Sequence, residues 1–247
     1  MSRPIYGHEL TPLAGAGWDA QAEWLDAELE RLDGGGRLAR HPFMEDWFGG
    51  RLTATDLRVF AGEHYHVVVA LEAAARRAAT LCDGLLAERL ELYADDQDEL
   101  LTLWFEFAAD AGWGRSAWYF GEDPLPATVA CTRVLSGDKR ELALHLVTIH
   151  AFEAAVAELA PRQVRSLGER YGFDASSTRY FAAQAERAAG SALTAQAGLT
   201  GLLPVHSPGA LVRHAERVYR AYLGMLDGVH AFGRGPTPFV IRGGERG

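Results

Sequence analysis

Two stretches of this chain put acid and imidazole side chains where chemistry could use them. In ELALHLVTIHAFEAAVAELAP, residues 141–161, the apolar stripe at helical spacing runs Leu142, Leu146, Ile149, Glu153, Val156 and Ala160, so a carboxylate stands on the buried line. An unpaired charge there is too costly to keep, and the acid must be neutral, paired, hydrogen-bonded or bound to a cation. The plain alternative is a core Glu satisfied by one Arg, Tyr or water. The second stretch is GEHYHVVVALEAAA, where Glu63 and His66 stand three apart and point to one side of the helix. An E-x-x-H pair is what carboxylate-bridged iron bundles use for two ligands of one metal. His150 and Glu153 repeat the spacing in reverse order, and Asp95 and Asp96 add carboxylates.

Gathered in one cavity, these groups would suit a hard or borderline cation taking oxygen and imidazole ligands. Without a metal, Glu63, His66 and Glu153 make a proton-transfer set, with His66 as general acid/base and Glu153 as orienter or second base. Two carboxylates near a histidine would raise one carboxylate pKa and the imidazole pKa together. The competing reading makes His64 and His66 core histidines, pairs Glu63 with an Arg, and leaves the Asp run as a solvated loop. Neither a nucleophile elbow, a Gly-rich phosphate loop, HExxH nor CxxC is present.

The elements that must position these residues are helices throughout. Nearly every segment has helical period, and no alternating β-branched run reads as a strand. One helix is expected over 18–32, stopped by Gly34, Gly35 and Gly36, and a short one over 42–48. Thr53, with Asp56 three residues on, caps a long helix through residue 81. Its near-continuous apolar surface over 67–75 places it at the centre. A helical stretch over 84–112 carries an acidic break at residues 95–99. The loop GWGRSAWYFGEDPLP follows, its aromatics Trp113, Trp118, Tyr119 and Phe120 reading as lid packing or a stacking surface. Short helices from Ala127 and Asp138 lead into the Glu153 helix, which ends near Tyr171 and Gly172. Two more helices follow, over 177–199 and from the Ser207–Pro208 cap onward. With no linker and no repeat, one helical-bundle domain is expected over 1–247, residues 1–16 and 233–247 being irregular tails.

The 247 residues are 48% hydrophobic, ample for a core, and carry a net charge of −9 with scattered arginines, which gives no footprint for nucleic acid. MSRPIYGHEL has no apolar signal region and no stretch reads as a membrane span, so a cytoplasmic protein is expected. Cys82 and Cys131 read as reduced buried thiols.

HPFMEDWFGGRLTATDLRVFAGEHYH resembles the opening of the heme oxygenase-like superfamily, which includes thiaminase II (TenA), the cofactor-free pyrroloquinoline-quinone synthase (PqqC) and the non-heme diiron oxidases. The carrying pattern is a His-Pro-Phe helix start, a Gly then Leu-Thr turn, and a long helix with an aromatic-and-His cluster. The likeness continues through LWFEFAADAGW, EAAVAELAPRQVRSLGERYGFD and RAYLGMLDGVHAF. It implies an all-α bundle of about seven helices around a central pocket.

For the diiron oxidases, the resemblance places the liganding Glu of the third ligand-bearing helix on Glu153. Their H-x-x-x-D-x-x-H helix is similar to residues 180–193, where Gln184, Ala188 and Ser191 stand at the ligand positions, and the earlier Glu and His fall near Asp95 or Asp96 and near Leu100. A standard diiron centre is therefore not expected unless Glu63 and His66 replace lost ligands. In the quinone synthase the like positions of the first long helix are Glu63 and His66. Thiaminase II carries its Cys nucleophile on the helix that resembles the Glu153 segment, and no Cys lies there. The leading expectation is an oxidoreductase-type enzyme performing oxidation or rearrangement of a small organic metabolite, with catalytic Glu63, His66 and Glu153 and substrate-binding Asp95, His150 and Gln184. No cofactor or metal is assigned. Iron on Glu63, His66, Asp95 and Glu153 is the alternative, and a non-catalytic binding or accessory protein the third. Nucleic acid and membrane are not expected partners, and a homodimer is left open.

Overall fold

A helix that starts at a Pro needs its preceding residue to satisfy the free backbone N–H groups, and His41 does so: its Nδ1 accepts from the Phe43 N–H at 3.2 Å. In this computed structural model, which describes residues 17–113, 123–137, 140–203 and 206–234, that short helix (α3, Pro42–Phe48) is the third of nine among the described residues. Before it come α1 (Trp18–Arg31) and α2 (Gly34–Ala39). After it come α4 (Ala54–Ala79), α5 (Gly84–Asp110), α6 (Pro126–Ser136), α7 (Leu142–Tyr171), α8 (Arg179–Thr200) and α9 (Pro208–Arg234). The described residues form no strand.

Local chemistry explains some of these boundaries. Thr53 and Asp56 form a reciprocal capping box at the start of α4, worth about 1 kcal/mol. At the other end of α7, Gly172 takes the left-handed conformation at φ 73° that stops a helix. Three expectations need correction. The glycines 34–36 do not end in a turn but form α2, because the chain reverses one residue earlier at Asp33, itself left-handed at φ 48°. The acidic run does not break α5: Tyr93, Ala94, Gln97 and Leu100 face inward while Asp95, Asp96, Asp98 and Glu99 stay exposed. Arg76 of α4 meets Asp98 at 2.9 Å, and Arg187 of α8 meets Glu99 at 2.9 Å. Finally, α9 continues to Arg234, past the expected fraying point. The helix expected from Asp138 starts outside the described residues, as do Trp118, Tyr119 and Phe120; by Leu142 the chain is already in the Glu153 helix.

Packing puts α7 in the middle, along α8 and against α2, α4 and α9, while α4 is enclosed by α5, α6, α7 and α9. One contiguous apolar core joins the helices. Its centre is aromatic. Phe43 and Trp47 of α3, fully buried, pack on Phe60 of α4 at ring-centroid distances of 5.5 and 4.9 Å, each side chain contributing about 2–3 kcal/mol by burial. Trp104 of α5 joins them at 5.8 Å from Phe60 and donates its indole N–H to the Ala61 carbonyl at 3.0 Å. These rings fix how α4 is rotated, and hence which of its polar residues look inward.

Candidate active site

The inward face of α4 carries Leu57, Phe60, Ala61, His64, Val67, Val68 and Leu71, all buried. Successive residues turn by about 100° on a helix, so His64 lies on this line whereas Glu63 and His66 flank it. His64 is stacked on Phe60, with ring centroids 5.1 Å apart and planes at 17°, and lies 4.7 Å from the Trp104 ring. Its two ring nitrogens reach two phenols: Nε2 is 3.2 Å from the Tyr180 hydroxyl and Nδ1 3.1 Å from the Tyr222 hydroxyl. Burial lowers its pKa to about 3, so the ring is neutral and carries one N–H. One tyrosine therefore donates to the ring and the other accepts from it. Gln184, one turn along α8, donates its amide N–H to the Tyr180 oxygen at 3.2 Å.

Glu153 enters the cluster from α7. It is 1% exposed, and its Oε1 accepts the Tyr93 O–H from α5. Burial pushes its carboxyl up to about 7, with the Tyr93 hydrogen bond pulling the other way and no cation contributing. Of the expected ways to keep a buried acid, the structure thus has the hydrogen-bonded one, with a tyrosine as partner. Burial raises the pKa of Tyr93 first, and the Glu153 charge adds to it. Tyr180 and Tyr222 are likewise raised by burial; the Glu153 charge acts on Tyr180, and the Tyr180 charge on Tyr222. Inside the apolar bundle, Tyr93 and Glu153 form one hydrogen-bonded pair, and His64, Tyr180, Tyr222 and Gln184 form a second network, the Glu153 charge reaching Tyr180 between them.

The cavity at the His64 network is small, about 20 Å³, room for about one water; Glu153 and Tyr93 do not line it. His64, Phe152, Gln163, Tyr180, Gln184 and Tyr222 are among its walls.

Glu153 and Gln184 are the expected site residues that the fold brings to this cluster. Glu63 instead accepts the Leu125 N–H at 3.0 Å, tying α4 to the start of α6. His66 is half-buried with its ring edge-on to Tyr65 at 5.2 Å, and burial lowers its pKa rather than raising it. Asp95 is exposed beside Arg76 at 3.4 Å. His150 is buried, but its Nδ1–H donates to the Ala192 carbonyl at 3.1 Å and joins α7 to α8. The E-x-x-H spacing does put Glu63 and His66 on one face of α4; that face is not the cavity's. His64, Tyr93, Tyr180 and Tyr222 were not picked out as site residues from the sequence, where a His or Tyr on an apolar stripe reads as packing. The recoverable signal is His64, which falls on the 57, 60, 64, 67, 71 line of α4.

These donors do not fit a diiron centre. Glu153 is the one carboxylate in the cluster, His64 already spends both nitrogens on tyrosines, and Gln184, Ala188 and Ser191 offer no anionic or imidazole ligand. The four residues of the alternative iron site, Glu63, His66, Asp95 and Glu153, do not come together. Among the described residues no group of three His, Cys, Asp or Glu side chains does.

No family model matches the chain. Over 203 residues, spanning 79% of this chain and 88% of the relative, it is 25% identical to a 4-aminobenzoate synthase of Chlamydia pneumoniae. Among solved structures it is similar to a TenA homologue from Pseudomonas syringae pv. tomato, with a TM-score of 0.71 and 14% identity over 85% of this chain and 93% of that one. A TenA homologue from P. horikoshii superposes with a TM-score of 0.69 and 12% identity over 85% and 97%. A domain of unknown function with a heme oxygenase-like fold from Shewanella denitrificans gives 0.67 and 15% over 90% and 97%. The fold is heme oxygenase-like, as the sequence resemblance implied.

Proposed function

We propose that this heme oxygenase-like chain is a cytoplasmic enzyme that transforms a small organic metabolite by proton transfer at Glu153, within an oxidation or rearrangement and without a standard diiron centre. The observation that carries the reading is a fully enclosed carboxyl with one neutral partner and a pKa near 7. An acid with that pKa gives and takes protons with equal ease at neutral pH, which is what general acid/base work needs. Tyr93 orients the carboxyl and can pass a proton along the same hydrogen bond. His64 is too poor a base at about 3 to act as one; it holds Tyr180 and Tyr222, and through Tyr180 it lies next to Gln184. Thus Glu153 takes the acid/base role that the sequence reading gave to His66. The Chlamydia relative's name supports a biosynthetic role and an aromatic product class.

The test compares purified wild type with Glu153→Gln, assaying 4-aminobenzoate formation and turnover in metabolite extracts. Substrate loss in wild type and none in a folded Glu153→Gln protein supports the reading. Identical profiles contradict it. The small cavity of about 20 Å³ favours a second reading, a non-catalytic binding or accessory protein, which gains if neither protein turns over any metabolite.

A further inference from the structure

The central cavity holds about one water, so an organic substrate has no seat there in this conformation. A larger space lies one side chain away from Glu153. Between α5 and α8 the surface opens a groove of about 410 Å³, within the size range of small-molecule sites. Buried Leu90, Ile149 and Ala195 form its floor, Ser191 and Thr194 line its α8 wall, and Tyr93 lines it too. Tyr93 is also the group that bonds Glu153. A single side chain therefore separates the groove from the central acid.

The charges around the groove are unequally committed. Arg187 is held by Glu99 at 2.9 Å and Asp96 at 3.5 Å, and the charge of Glu186 also acts on it. Of the two carboxylates that line the groove, Asp96 is thus engaged by Arg187, while Glu186 acts on that guanidinium through its charge alone. Arg89 lines the same groove with no ion-pair or hydrogen-bond partner among the described residues. A guanidinium with no bonded partner among the described residues, beside an apolar floor, offers a bidentate seat for a carboxylate attached to an apolar body.

We infer that this groove is the ligand site serving the central acid, and that it takes small organic carboxylates. The carboxylate sits on Arg89, the apolar body lies over Ile149 and Ala195, and the far end meets Tyr93. This rests on the reading of Glu153 as the reacting acid and adds the place and the class of its substrate. Tyr93 is then a positioning residue that couples the occupied groove to Glu153.

The experiment uses benzoate as the probe and benzyl alcohol as its uncharged counterpart. Binding is measured by calorimetry, and the Glu153 carboxyl is followed by isotope-edited infrared spectroscopy. Wild type binds benzoate saturably and more tightly than benzyl alcohol. Arg89→Gln weakens benzoate by about tenfold or more and leaves benzyl alcohol unchanged. Thr194→Trp, which fills the groove from its rim, removes both. Bound benzoate shifts the Glu153 titration in wild type and not in Tyr93→Phe. Equal benzoate affinity in wild type and Arg89→Gln, or no benzoate binding to wild type, overturns the inference. An Arg89-dependent benzoate site beside a Glu153 that stays ionised between about pH 5 and pH 8 keeps the groove and removes the reading of Glu153 on which its substrate role rests.

Discussion

Glu153 keeps its proton in the folded chain over a range where the unfolded chain has lost it. Its carboxyl titrates at about 7 when folded against 4.5 in solvent, so between those values the native state binds more protons and stability falls as pH rises. The stabilisation is complete below the unfolded value and gone above the folded one. His64 has the opposite sign. Folded it titrates at about 3 against 6.5 unfolded, so its contribution is present above 6.5 and is lost as pH falls toward the folded value. The two slopes oppose each other over the shared window, and the wild-type profile hides both. Subtracting the profile of Glu153→Gln isolates the acid: the wild-type advantage over the variant should fall by about 3 kcal/mol on going from pH 4.5 to pH 7. Urea midpoints measured in pH steps check this, and a flat difference contradicts a neutral buried acid. Glu153 was legible in the sequence because a carboxylate on an apolar stripe has few ways to exist. Tyr93, Tyr180 and Tyr222 were not, because a tyrosine on such a stripe packs as readily as it bonds, and only the tertiary fold says which phenol meets which partner.

Among the elements, helix starts written in local chemistry were the readable ones. The His41–Pro42 start of α3 and the Thr53–Asp56 box of α4 depend on neighbours within three residues. The acidic run in α5 was misread because its tolerance is tertiary, supplied by Arg76 and Arg187 from two other helices. The rotation of α4 was misassigned for a similar reason: the aromatic packing of α3 and α5 sets it, and E-x-x-H spacing carries no such information. Glycines give an element-scale prediction with two signs. A Cβ at Gly34 would lie 2.2 Å from the ring of buried Tyr219, where α2 crosses α9, whereas at Gly224 within α9 it would meet nothing within 4 Å. Gly34→Ala should therefore destabilise by about 1–3 kcal/mol through overpacking. Gly224→Ala should stabilise by about 0.5–1 kcal/mol through helix propensity. Thermal melts of the two variants beside the parent decide it.

For the molecule as a whole, the same hydrophobic continuity that hides the site also sets the cooperativity. By length and composition α7 could cross a membrane, yet it lies mostly buried among α2, α4, α8 and α9, which makes it the core helix of this bundle. Because one apolar cluster joins the helices, unfolding should be a single transition, with far-ultraviolet circular dichroism and tryptophan fluorescence coincident. Two separated transitions would divide the chain into independent cores.

The central claim is that Glu153 is a proton-carrying acid near neutral pH, and its carboxyl can be read directly. With labelled glutamate, the infrared carbonyl band of a protonated acid should be present in wild type, absent in Glu153→Gln, and should disappear with a midpoint near 7. A Glu153 that is already ionised at about pH 5, as a solvated glutamate is, contradicts the account.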